Sequence, residues 1–155
     1  MTANRPYKYL LKITFFALII SELPLPDILY LASPFWILLF YVYWLNFFSA
    51  RGGLFLALIL GILLDILHGS LLGQNALALI LSSAFIINIK QSFYVSNLST
   101  QQVYMFIASI IYLVVILSVH ILIQGFDFSY ILLITPLSTA LFWAPVQFFL
   151  SKLRH

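Results

Sequence analysis

Apolar residues in this chain do not alternate with polar ones at a helical or a strand period. They come in long unbroken blocks, separated by short clusters of proline, glycine and charge. Such blocks read as membrane-spanning helices, because a helix on the surface of a soluble domain keeps a polar face. The first covers residues 9–23 and is short for a crossing unless Lys12 reaches its ammonium toward the headgroups. Pro24 and Pro26 end it. The second covers 28–48, with Pro34 near its start and Tyr41, Tyr43 and Trp44 near its end, the aromatic belt expected at a membrane interface. Arg51-Gly52-Gly53 reads as a tight turn. From Leu54 to Ile89 there are 36 residues with one charge, and as a single helix they would stretch about 54 Å at 1.5 Å per residue. The hydrocarbon core is about 30 Å thick, so this run must fold back. His68-Gly69-Ser70, with Gly73 just after, is the natural break and gives helices over 54–67 and 71–89. Lys90 to Gln102 is a polar connection. Helices five and six follow over 103–123 and 130–150, the last carrying Pro136 and Pro145.

Composition removes the soluble alternative. Of the 155 residues 64% are hydrophobic and 7% charged, whereas a globular domain carries about a quarter charged residues. The expected architecture is an all-α polytopic membrane protein, residues 1–155 forming a single integral membrane domain of six transmembrane helices. Charge fixes its orientation, because short cytoplasmic loops collect Lys and Arg. Arg5, Lys8 and Lys12 precede helix one, Arg51 lies between two and three, Lys90 between four and five, and Lys152 and Arg154 follow six. All seven basic residues fall on one side. Glu22, Asp27 and Asp127 fall on the other, so both termini are expected in the cytoplasm. Leu23-Pro24-Leu25-Pro26 offers no small-residue cleavage signature, so helix one is expected to remain attached.

Candidate chemistry is sparse. There is no cysteine, which removes disulfides, iron–sulfur clusters and thiol nucleophiles. The basic residues form no clustered face for nucleic acid. No nucleophile stands with a base and an orienting acid, and no glycine loop cradles phosphate. No catalytic residue, cofactor or metal is expected, and the chain does not read as an enzyme. Asp65 is the exception to the apolar interior. A carboxylate within a span must face protein or water. Ala57, Gly61 and Asp65 are four apart and share a helix face, so small residues there admit a neighbouring helix and the carboxylate can bond a backbone group or the Gln74 or Asn75 amide. His68, one turn on, opens the alternative of a carboxylate–imidazole proton relay, and a third reading has Asp65 holding a cavity or a partner's contact surface. A bulky side chain at Gly69 is expected to obstruct the turn or the packing beside it. Gly69 and Gly73 spell a GxxxG, but their place at the reversal favours a turn over a dimer seam. His120 reads as a hydrogen-bonded packing residue, and Thr135, Ser138 and Thr139 as hydroxyls for carbonyls freed by the prolines of helix six. The rings Phe15, Phe16, Phe35, Trp36, Phe40, Tyr112, Phe142 and Trp143 are too many to face inward in so small a bundle, and are expected to leave a groove for a partner helix.

Leu23-Pro24-Leu25-Pro26-Asp27, then Ser33-Pro34 and Tyr43-Trp44, then Gly61 with Leu64-Asp65, Gly69-Ser70, Leu72-Gly73 and Ala76-Leu77-Ala78, resemble in order and spacing the rod-shape-determining membrane protein family MreD of Gram-negative bacteria. The specific part runs from Leu23 to Leu79. The last two helices match in hydropathy, in Gln101-Gln102, and around Trp143 and Pro145. Two positions depart from the family pattern: Ser33 stands where an Arg is usual, and Ala144 separates Trp143 from Pro145. The resemblance implies a non-enzymatic, multi-pass inner-membrane subunit of the cell-wall elongation machinery that helps maintain rod cell shape and lateral peptidoglycan synthesis. It implies MreC as principal partner, with the filament protein MreB and the elongation glycosyltransferase and transpeptidase as further partners. It also implies a six-helix fold similar to the substrate-binding subunits of vitamin-importing transporters, which makes a small-molecule-binding transporter subunit the alternative reading. Gly61, Asp65, Gly69, Gly73, Pro34 and Trp143 are the structural or interaction candidates.

The charge pattern sets a topological expectation. Reporter fusions after Lys90 and after His155 should both read cytoplasmic and one near Asp127 periplasmic; opposite signs for the first two would break the six-span parse.

Overall fold

A computed structural model of the chain describes residues 5–27, 29, 32–45, 50–127 and 129–153. All regular structure among them is helical: α1 (Arg5–Ser21), α2 (Trp36–Leu45), α3 (Ala50–His68), α4 (Gln74–Asn88), a short α5 (Lys90–Val95), α6 (Leu98–Gln124), a 3-10 turn (Tyr130–Ile134) and α7 (Thr135–Leu153). Three segments, Arg51–His68, Leu98–Gln124 and Tyr130–Lys152, are long and apolar enough to cross a membrane. Leu11–Ser21, Trp36–Leu45 and Gln74–Asn88 are shorter apolar helices.

Helix α2 is apolar on every side, and a helix of that kind belongs in the interior. Nine of its ten residues, Ile37 to Leu45, are buried. It is bordered by α1, α3, α4 and α7, while α3 packs on α4, α4 on α6 and α6 on α7. Outward faces are the inverse of a soluble protein's: Phe15, Phe55, Leu122, Leu141 and Phe148 are exposed, whereas Asp65, Ser82, Ser83, Gln101, Ser109 and Thr139 are buried. That distribution suits lipid outside and hydrogen-bonded polar groups within.

Several boundaries differ from those the apolar blocks predict. The second block, 28–48, is broken: residues 32–35 are not helical and α2 begins only at Trp36. Pro34 lacks an N–H and pushes Ser33 away from helical angles, and the Phe35 N–H leaves the helix to donate to Thr139 Oγ1 of α7 at 3.0 Å. The expected second-helix residues 46–48 lie outside the described residues. Arg51-Gly52-Gly53 is not a turn but part of the opening of α3. Gly53 is there for close approach, since a Cβ would stand 2.5 Å from Leu45 Cδ2, and its carbonyl accepts from the buried Tyr41 hydroxyl at 2.7 Å. Helix α4 starts at Gln74 rather than Leu71, because Gly73 holds φ at 97°. The polar connection 90–102 contains α5, and α6 starts five residues before the apolar block. Hydropathy marks where lipid begins, not where backbone hydrogen bonding does.

Helices α3 and α4 approach each other closely. A Cβ on Gly61 would lie 2.2 Å from Ala76 Cα and 2.5 Å from its nitrogen, so Gly61 lets the two backbones meet. Gly69 works differently from the obstruction expected of it: a Cβ there meets nothing within 4 Å, and its constraint is a φ of 61°. Substitution at Gly69 therefore strains the backbone by about 1–2 kcal/mol, whereas at Gly61 it drives one backbone into another. Gly61→Leu should abolish the monodisperse size-exclusion peak in detergent, while Gly69→Leu keeps the peak with a lowered thermal midpoint. The opposite order would show that the turn, not the crossing, sets the hairpin.

Candidate functional site

Asp65 lies one turn from the end of α3, and its backbone and side chain act in opposite directions. Its carbonyl accepts the Ser70 N–H at 3.1 Å, and the Ile66 carbonyl accepts the Gly69 N–H at 3.4 Å. With Gly69 left-handed, this is a Schellman closure of α3. Its carboxylate turns toward the start of α4. Oδ2 accepts the Gly73 N–H at 2.7 Å. Oδ1 accepts the Asn75 N–H and the Asn75 Nδ2–H, each at 2.9 Å, and the Ser70 hydroxyl at 3.0 Å. Gly73 has no side chain to cap α4, so the preceding helix supplies the acceptor that Ser or Asp would ordinarily provide at that position. A negative group is also favoured where the α4 dipole is positive.

The carboxylate is 1% exposed, which costs several kcal/mol of lost hydration. Four donors converge on it, and hydrogen bonds to charged groups contribute about 1.5–3 kcal/mol each, enough to offset that cost. All four donors are neutral, so no basic side chain is required. The network then reaches α6: Tyr112 donates its hydroxyl to Asn75 Oδ1 at 2.6 Å, and Gln74 Nε2 donates to the Ile116 carbonyl at 3.2 Å.

His68 does not join this network. Its Nε2 lies 3.0 Å from Glu22 Oε1 at the end of α1, so the carboxylate–imidazole relay between Asp65 and His68 is replaced by two separate contacts. His120 Nε2 meets the Asp127 carbonyl at 2.8 Å. Among the described residues no three His, Asp or Glu side chains gather to hold a metal ion.

The other candidates take up positions on two levels. Pro34 is buried at the start of α2, beside the Phe35–Thr139 link. Trp143 is fully buried in α7, donates Nε1–H to Gln101 Oε1 at 3.0 Å, and meets the Phe93 ring edge-on at 5.4 Å between centroids. Gln101 in turn donates Nε2–H to the Ser96 carbonyl at 3.0 Å. Gly61 sits at the α3–α4 crossing, and Gly69 and Gly73 bracket the turn. The groove expected from eight rings is not formed by all of them. Phe40, Tyr112 and Trp143 face the core, Phe35 and Trp36 pack against it, and Phe15, Phe16 and Phe142 remain exposed. Inward rings are fixed by polar or ring partners that hydrophobicity does not reveal: Phe35 lies 4.5 Å from Tyr112 between centroids. The helix-six hydroxyls do not serve the carbonyls that Pro136 and Pro145 free: Thr139 donates to the Thr135 carbonyl and Ser138 to that of Ile134, while the Leu132 carbonyl, four residues before Pro136, accepts the Thr135 N–H. The Pro136 carbonyl accepts from the Ser109 hydroxyl of α6 at 3.3 Å, a link between the two helices.

Tyr112 is the functional-site residue the sequence reading missed. It is a lone phenol in the aliphatic stretch Ile110-Ile111-Tyr112-Leu113-Val114, and a buried tyrosine hydroxyl finds a partner. That was the available signal.

The family model for rod shape-determining protein MreD matches residues 4–153, nearly the whole chain. The chain belongs to the MreD family. No curated protein and no solved structure matches it. It is therefore a bacterial membrane protein of the rod-shape-determining system, and its apolar helices fit that setting. Within this MreD-family chain the Asp65 cluster is a hydrogen-bonded joint: its acceptors and donors are spent on one another.

Asp65→Asn places an amide NH2 against at least one of the four donors, so it should keep the fold but lower the thermal midpoint, at a cost of about 1–3 kcal/mol. Tyr112→Phe leaves the buried Asn75 oxygen short of a donor and should cost a similar amount. Both act on Asn75, so the double variant should lose less than the sum of the singles. Strict additivity in detergent thermal unfolding would separate the two contacts.

Proposed function

We propose that this chain is a non-enzymatic subunit of the cell-wall elongation complex, spanning the inner membrane six times with both termini in the cytoplasm and acting by binding. Its partner is the transmembrane helix of MreC, which it holds so that the attached periplasmic domain stays in register with the elongation glycosyltransferase and transpeptidase, with MreB filaments on the cytoplasmic side. The observation that carries this reading is the MreD family match over residues 4–153. Two features support it. Polar groups of the Asp65 cluster are committed to internal hydrogen bonds, and large apolar side chains are exposed along α1, α3, α6 and α7. The first leaves little to act on a substrate, and the second offers surface for another helix.

A second reading, a small-molecule-binding transporter subunit with a fold like that of vitamin-importer binding subunits, draws on one feature. A hollow of about 200 Å³ opens between α2, α3, α6 and α7, with Asn75, His68 and Tyr112 among its lining. Pockets for drug-sized ligands are usually about 300–1,000 Å³, so the scaffold reading is preferred.

Affinity purification from mildly solubilised membranes distinguishes the two. A single-span protein with a periplasmic β-rich domain in stoichiometric yield supports the scaffold; a nucleotide-binding transport ATPase supports the alternative. Depletion in a rod-shaped host should give rounded cells, and Asp65→Asn should retain most complementation because no proton transfer is called for. Cells that stay rod-shaped on depletion would overturn the proposal.

A further inference from the structure

Between α1 and α3, at the end that carries Glu22 and His68, lies an open groove of about 520 Å³. Its walls are Phe15, Leu18, Ile19 and Leu23 from the α1 side and Leu63 and Leu67 from α3, with Glu22 on its rim. From Glu22 to Phe15 the groove runs about 10 Å along the helix at 1.5 Å per residue. That is most of one leaflet of a hydrocarbon core about 30 Å thick. Its apolar lining suits a flexible acyl chain.

The rim is what makes the groove selective. Glu22 Oε1 and His68 Nε2 pair at 3.0 Å, and the two side chains stay 41% and 25% accessible, respectively. One anionic acceptor and one imidazole therefore sit side by side at the mouth of an apolar slot. No Lys or Arg occurs in the segments at this end, 21–35, 66–75 or 120–135, while Asp27 and Asp127 do. The ionisable side chains at the mouth are Glu22 and its partner His68, and the neighbouring segments add acids, a histidine and tyrosines but no Lys or Arg. A lipid with only a phosphate would bring negative charge to an acidic rim. A headgroup that carries an ammonium beside its phosphate can insert into the pair, giving donors to Glu22 and a phosphate acceptor to the His68 ring N–H that otherwise meets Glu22.

We infer that the α1–α3 groove is a binding site for an ethanolamine phospholipid, one acyl chain lying between Phe15 and Leu67 and the headgroup ammonium on Glu22 with its phosphate on His68. The lipid fills a gap that would otherwise leave α1 joined to α3 at this end through the Glu22–His68 pair, and so braces α1 against the hairpin.

The test is native mass spectrometry of the full chain, delipidated in mild detergent and titrated with ethanolamine or glycerol phospholipid of identical chains. The ethanolamine lipid should be retained over the glycerol lipid by about threefold to fivefold, the ratio an accessible ion pair supports. Glu22→Gln should bring the ratio close to one without loss of chain binding. Leu63→Trp, which fills the groove, should reduce retention of both lipids, and Ile19→Trp does the same from the opposite wall if Leu63→Trp fails to fold. Equal retention of the two lipids by the unaltered chain means only unselective boundary lipid and overturns the assignment. So does an undiminished preference in Glu22→Gln, or stoichiometric occupation of the groove by a partner helix that excludes lipid.

Discussion

The bundle depends on one carboxylate that ends one helix and begins the next. Asp65 closes α3 through its backbone carbonyl and opens α4 through its side chain. In water either helix end would find solvent partners, but within or near hydrocarbon an unpaired N–H costs several kcal/mol. The reversal is short and its first residues, Gly69 to Gly73, include no acid. Hence the acceptor has to come from the preceding helix, and a residue four positions before the Gly69 turn is placed to turn toward the loop. The burial of a charge, unfavourable taken alone, is the consequence of needing a strong acceptor where the chain turns back on itself.

With the turn fixed, the crossing of α3 and α4 follows. Capping brings the two axes together at their shared end, and further from it the backbones meet where Gly61 faces Ala76. Asn75 then passes the arrangement to α6, since the amide that donates to Asp65 accepts from Tyr112. Elsewhere the same logic recurs with neutral groups. Thr139 of α7 receives the Phe35 N–H at the start of α2, and Trp143 of α7 meets Gln101 of α6. Lipid supplies no hydrophobic drive between helices, so these few bonds and close backbone contacts carry the specificity that core burial carries in a soluble domain.

What the sequence disclosed follows from that physics. Apolar blocks, the fold-back within 54–89 and the special place of Asp65 were legible because they are responses to the bilayer: length against thickness, and charge against hydrocarbon. The break at Pro34 was visible as a residue but not as the point after which a helix begins, since proline is tolerated in spans whenever a neighbour serves the freed groups, and that neighbour, Thr139, is more than a hundred positions away. Gly52 and Gly53 were mistaken for a turn because glycine marks both turns and close packing; φ and the distance to Leu45 decide between them. Counting rings against available interior showed that not all eight could turn inward but not that Tyr112 and Phe40 would, since the count ignores how a single hydroxyl bond or ring contact selects among them. Long-range partners of this kind leave no periodic trace in a single sequence.

The acidic end brings these elements into mechanical relation. His68 ends α3 immediately after the turn of helix that holds Asp65, and it meets Glu22 at the end of α1. A displacement of α1 at that end is therefore felt one turn from the joint that positions α4 and, through Asn75, α6. The central helix α2, buried between α1, α3, α4 and α7, cannot absorb such a shift by sliding, because Phe35 is tied to Thr139 at one end and Tyr41 to Gly53 toward the other. For a protein of a shape-determining family this matters more than any reactive group. A structural component transmits position, and here the positions of four helices, α1, α3, α4 and α6, are referred to contacts made within a single turn of α3.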